Sequence, residues 1–164
     1  MIFACTGNTD TAAHKFEPDE GIWIQTNASN ILEDSCTFTS PSSEQPNIEE
    51  DTFGMFISMS GPQRFRIYSL EENDQPSPFF FACVLDHRQF SCYPFQAEQS
   101  FHEESDIIVQ TEQLLTGSFI STTTASVTSK LDIKCSGQEC DALYAWGIEL
   151  PCSITSTFSV VLSP

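Results

Sequence analysis

The stretch "FFFACVLDHRQFSCYPF", residues 79–95, constrains the fold more than any other because it sets two cysteines in facing halves of a hairpin. Runs of aromatic and aliphatic residues flank the polar "DHRQ", the pattern of two strands around a tight turn. With the turn centred on His87 and Arg88, Asp86 falls opposite Gln89, Leu85 opposite Phe90, Val84 opposite Ser91 and Cys83 opposite Cys92. Directly opposed residues of a non-hydrogen-bonded pair have Cα atoms about 4.5 Å apart, within reach of one disulfide. A redox site wants C-x-x-C at a helix start, and a structural metal site wants two close-spaced ligand pairs. The spacing here fits neither, so the pair reads as a staple.

The remaining cysteines follow the same logic. Cys135 and Cys140, in "CSGQEC", close a tight loop in which Gly137 allows the bend. A zinc knuckle would need a second pair or nearby histidines, and His14, His87 and His102 are distant in sequence. Cys36 lies near the end of the first strand-like run and Cys152 at the start of the last; if those strands pair antiparallel, as they do when a meander closes, the two meet. The expected set is Cys83–Cys92, Cys135–Cys140 and Cys36–Cys152, with Cys36–Cys135 plus Cys140–Cys152 left open as an alternative. Cys5 is the odd one out. It follows "IFA", with small Ala4 before it and a polar tether after it, like the end of a bacterial lipoprotein signal where the cysteine is lipidated. Residues 1–4 are too few for the charged and apolar segments of a signal peptide. Seven cysteines in 164 residues imply an oxidising compartment. The expected location is therefore exported: periplasm, outer membrane or cell surface.

Residues 1–20 lack periodicity and read as a flexible arm, with one β domain over 21–164. "GIWIQT" opens a first strand that bends through "NASN" and continues to Phe38. Residues 52–59 and 63–70 form a hairpin across Ser60-Gly61-Pro62; in its second strand Phe65, Ile67 and Ser69 face one way and Arg64, Arg66 and Tyr68 the other. Strands follow over 79–85, 90–95, 106–115, 119–123, 126–134 and 153–162, and "ECDALYAW" makes a short helical turn ended by Gly147. About eight or nine strands at regular spacing mean an all-β, disulfide-stapled antiparallel meander, as a small barrel or a sandwich.

Charge narrows the function. With 23 acidic residues against six basic ones the net charge is -17, which repels nucleic acid and anionic lipid, so membrane contact is expected only through a lipid anchor. No G-x-S-x-G, H-E-x-x-H, phosphate loop or dinucleotide fingerprint is present. "NTDTAAH" and "FHEESD" hold oxygen ligands and a histidine each, but read as solvated loops, so no metal and no cofactor are expected. His102 with Glu103 and Glu104 makes a poor acid–base group, since adjacent strand residues point to opposite faces. Asn27-Ala28-Ser29 is a glycosylation sequon, meaningful in a eukaryotic source. Trp23, Phe56, Phe65, Phe80, Phe90 and Phe119 sit in strand runs and read first as core. If a barrel closes around a cavity, Trp23, Phe56, Phe65 and Phe119 are the residues expected to line it for a small apolar ligand.

Together "ACTGNTDT", "FEPDEGIW" leading to "EDSC", the "C…FSC" hairpin, "TGSFISTT" and "IKCSGQECDAL…GIELPC" make the chain resemble, over nearly its whole length, exported lipoproteins of myxobacteria and related bacteria. The resemblance implies an exported or outer-membrane-tethered β domain and brings no catalytic residues. The expectation is a non-enzymatic envelope protein with a binding or structural role. The alternatives are a lipocalin-like carrier of an apolar ligand and a subunit that self-associates through its N-terminal arm or an open edge strand.

Overall fold

A computed structural model describes residues 16–36, 54–71, 74–100, 106–145, 147 and 149–164. Among these, ten strands and one short helix follow in order: β1 (Gly21–Gln25), β2 (Asn30–Asp34), β3 (Gly54–Gly61), β4 (Arg64–Leu70), β5 (Pro76–Asp86), β6 (Gln89–Cys92), β7 (Phe95–Ser100), β8 (Ile108–Ser121), β9 (Thr124–Ser136), α1 (Asp141–Ala145) and β10 (Cys152–Leu162). Every pairing is antiparallel. Eight strands, in the order β1-β3-β4-β5-β6-β8-β9-β10, close into a barrel where Trp23 to Gln25 pair with Leu162 to Val160. That one pairing decides barrel over sandwich, because it joins the two end strands of the eight-strand ring.

The two strands outside the ring explain the rest of the architecture. β8, β9 and β10 are 14, 13 and 11 residues long and outrun the barrel. Their far halves form an open sheet, with β7 against β8 on one side and β2 against β10 on the other. The first strand expected from sequence is therefore two strands laid end to end along β10. Between them the Asn27 side-chain oxygen accepts the Ser159 amide at 2.7 Å, where β10 changes partner. The strand expected over 90–95 is likewise interrupted: Pro94 has no amide to give a ladder, and β7 begins only at Phe95. In contrast, the break expected between 115 and 119 is absent, and β8 runs straight through Gly117.

Gly117 shows why no larger residue stands there. A Cβ at this position would lie 2.3 Å from the Ser126 carbonyl oxygen and 2.6 Å from Cζ of Phe90. The barrel interior is filled by rings: Phe119 packs against Phe16, Trp23, Phe65 and Phe90 with centroids 5.6, 5.8, 5.7 and 5.2 Å away. Fully burying such a side chain contributes about 1.5–3 kcal/mol, and edge-to-face pairs add to that. Residues 16–20, read from sequence as part of the arm, lie against the barrel. Phe16 packs on the core and under the Arg88 guanidinium at 5.1 Å, Pro18 is buried, and the Asp19 amide donates to the Thr122 carbonyl.

The open sheet has its own core, made of Cys36, Ile107, Leu143, Leu150 and Cys152 on the face continuous with the barrel interior. α1 covers it with Leu143, and the Tyr144 hydroxyl donates to the Leu150 carbonyl at 2.6 Å. Gly137, at φ +117°, turns the chain from β9 into this cover so closely that a Cβ would meet the Asp106 carbonyl at 2.0 Å.

Candidate binding face

All six cysteines among the described residues are paired, as Cys36–Cys152, Cys83–Cys92 and Cys135–Cys140, with Cα separations of 4.9, 3.8 and 5.9 Å. The hairpin register is Cys83↔Cys92, Val84↔Ser91, Leu85↔Phe90 and Asp86↔Gln89, as the turn position dictates. Each staple acts locally: one sews the barrel wall, one ties β2 to β10, and one fastens the turn before α1. Asp106 holds that turn further, accepting the Gln138 amide at 3.0 Å through its carboxylate while its own amide donates to Glu139. Cys5, His14 and His102 with its neighbouring glutamates lie outside the described residues.

The four residues expected to line a cavity separate. Trp23, Phe65 and Phe119 point inward and are buried against one another. Phe56 points outward, a correction to its placement with them. β3 alternates, with Met55, Ile57 and Met59 on the inner face and Phe56, Ser58 and Ser60 on the outer one; Ile57 opposes buried Ile67, and Phe56 opposes Tyr68. Phe80 is outward for the same reason, opposite Tyr68 on the other side.

This places a row of side chains on the outside of the barrel, Ile22–Phe56–Tyr68–Phe80, across four adjacent strands. Phe56 and Tyr68 stand 6.1 Å apart and tilted by 56°, and Tyr68 and Phe80 stand 5.4 Å apart and tilted by 45°. Beside the row on β4 are Arg66 and Arg64, two of the chain's six basic residues, both exposed. The Arg66 guanidinium lies over the Phe80 ring at 4.6 Å, a cation–π contact. Neither arginine makes an ion pair or side-chain hydrogen bond among the described residues. Glu20 reaches the same face, but its carboxylate accepts from the Ser58 hydroxyl at 3.2 Å and from the Met59 amide. Phe80 remains 38% exposed, so the patch combines apolar surface with two cations aimed at solvent.

Comparison with protein-family models, with curated proteins and with solved structures finds no match to this chain. Geometry alone then carries the reading of the site. Sequence reasoning set Arg64, Arg66 and Tyr68 on one face of their strand but missed the cross-strand row. The available signal was the alternation within each strand; the missing part was the register between strands.

A second concavity lies beside α1. It is a cleft of about 360 Å³ lined by Lys134, Leu143, Tyr144, Leu150, Pro151 and the Cys135–Cys140 disulfide, with Asp141 at its edge. It is apolar on its floor, with Lys134 and Asp141 as its charged groups.

Proposed function

We propose that this chain is a non-enzymatic, exported β-barrel domain, tethered through a lipid on Cys5, that acts in the cell envelope as a binding protein through its outer face. The observation that carries this reading is the pairing of Cys36, Cys83, Cys92, Cys135, Cys140 and Cys152, since a reducing cytosol would leave such thiols free. The exposed Phe80 ring, the half-buried Phe56 and Tyr68 beside it, and the exposed Arg64 and Arg66, which make no ion pair among the described residues, support binding as the role, because an apolar patch kept on a surface usually has a partner. Ring-on-ring packing of Trp23, Phe65, Phe90 and Phe119 favours this over a lipocalin-like carrier, whose barrel would be hollow.

Intact mass of the protein from its native membrane fraction, before and after reduction, tests the proposal. The expected result is a gain of about six daltons on reduction, two hydrogens per disulfide, together with acyl mass at Cys5. Seven free thiols and no added mass would remove the export argument. A subunit that self-associates remains the second reading, favoured by one observation: β2 is an edge strand on which Ile31 and Leu32 are each 59% exposed.

A further inference from the structure

The outer face has a geometry that selects among binding partners. Along β4 the outward positions are Arg64, Arg66 and Tyr68, each two residues from the next and so about 7 Å apart. Arg66 stands between Ser58 and Ala82 on the neighbouring strands, and Arg64 between Gly61 and Val84. The two guanidiniums therefore rise from a strip of short side chains with the Glu20 carboxylate held over Ser58 at its border, and the ring row Phe56–Tyr68–Phe80 bounds the strip at one end.

We propose that this face binds an extended acidic polypeptide segment lying along β4, with two carboxylates at alternate positions on Arg64 and Arg66 and an apolar side chain, two residues further on, against the rings. An extended strand presents same-side side chains at the spacing of the arginines, because its own rise per residue is that of β4. Guanidinium and carboxylate are planar and match in two parallel hydrogen bonds, and the Arg66 guanidinium already lies over the Phe80 ring at 4.6 Å. The rings are tilted to one another by 56° and 45° and offer an apolar contact at the end of the two arginines. An anionic membrane is disfavoured by the net charge of -17, which repels an extended negative surface over its whole area, whereas a short peptide meets mainly the local patch.

That same charge gives the interaction a signature. At low salt the whole negative molecule repels an acidic peptide; near physiological salt the field is screened beyond about 8 Å and the two close pairs remain. Binding is therefore expected to be tighter at 150 mM than at 10 mM sodium chloride, opposite to ordinary charge attraction.

The inference rests on the reading of this domain as a binding protein, and the two can fail separately: thiol count and acyl mass report on export, peptide titration on the face. The experiment is fluorescence anisotropy of a labelled Thr-Glu-Thr-Glu-Thr-Phe peptide against the full, disulfide-intact chain. Parallel arms use the same peptide with glutamine for glutamate, a hexuronate oligosaccharide, and vesicles containing anionic phospholipid. Saturable binding of the acidic peptide is expected, weakened about threefold to tenfold by Arg64→Ala or Arg66→Ala, partly by Arg66→Lys, and unchanged by Lys130→Ala on another face. Near-ultraviolet circular dichroism of each variant confirms an intact fold. Equal binding of the glutamine peptide, no binding of the acidic peptide, binding indifferent to both arginines, or arginine-dependent binding of the uronate or the vesicles in its place would each overturn the proposal.

Discussion

Truncating Phe119 to alanine tests whether the barrel is a packed core or a container. The ring is 2% exposed and meets four other rings, those of Phe16, Trp23, Phe65 and Phe90. Removing a buried phenylalanine costs about 3–5 kcal/mol through lost transfer energy and the cavity left behind. Ring pairs contribute about 0.5–1.5 kcal/mol each beyond buried area, which puts this site at the upper end, near 5 kcal/mol. Phe80, at 38% exposure on the outer face, supplies the contrast: its truncation should cost about 1 kcal/mol. Urea unfolding with disulfides intact, followed by tryptophan fluorescence, measures both; Trp23 lies 5.8 Å from Phe119 and reports on the core directly. A typical domain holds only about 5–15 kcal/mol, so Phe119→Ala is expected to sit close to unfolding. Phe119→Leu, which keeps most of the volume, should cost about 1–2 kcal/mol and keeps the comparison measurable if the alanine variant does not fold. The reasoning fails if Phe119→Ala costs no more than Phe80→Ala, for then the barrel interior already contains space and the carrier reading regains its footing.

Three further outcomes are expected. Gly117→Ala drives a methyl group into Ser126 and Phe90 and should cost about 1–3 kcal/mol, seen as a lower thermal midpoint. Replacing Cys36 and Cys152 together by alanine opens a link between residues 116 apart in sequence and should cost about 4–5 kcal/mol on the loop-entropy account, against about 2 kcal/mol for the five-residue link of Cys135 and Cys140. Equal losses in urea titrations of the two double variants would reject that ranking. Leu143→Ala uncovers the smaller core at a cost of about 2–4 kcal/mol. Amide exchange should then accelerate in the far halves of β9 and β10 while Val127 and Val160 in the barrel stay protected; uniform acceleration would mean that the two cores unfold as one unit.

Much of the fold is legible because it is local. The "DHRQ" turn sets the Cys83–Cys92 register without reference to the rest of the chain, and "QRFRIYSL" shows its inner and outer faces by alternation alone. The short helix before Gly147 and the loop closed by Cys135 and Cys140 are also local. Residues 90–95 mislead because an aromatic run looks continuous across Pro94, and residues 115–119 mislead because a glycine in a strand looks like a turn when it is making room for Phe90.

The sequence by itself determined the antiparallel all-β class and the register of the Cys83–Cys92 hairpin, because these follow from the two-residue period and from residues near one another in the chain. Tertiary structure decided three things. It closed β1 on β10, set β2 and β7 outside the ring, and turned Phe56 and Phe80 outward into one row with Tyr68 and the arginines. Alternation within β3 marks Met55, Ile57 and Met59 as the inner face, but only the pairing of β3 with β4 and of β4 with β5 brings Phe56, Tyr68 and Phe80 side by side. A candidate site assembled from four strands comes into being only when those strands pair and their registers fix which side chains are neighbours.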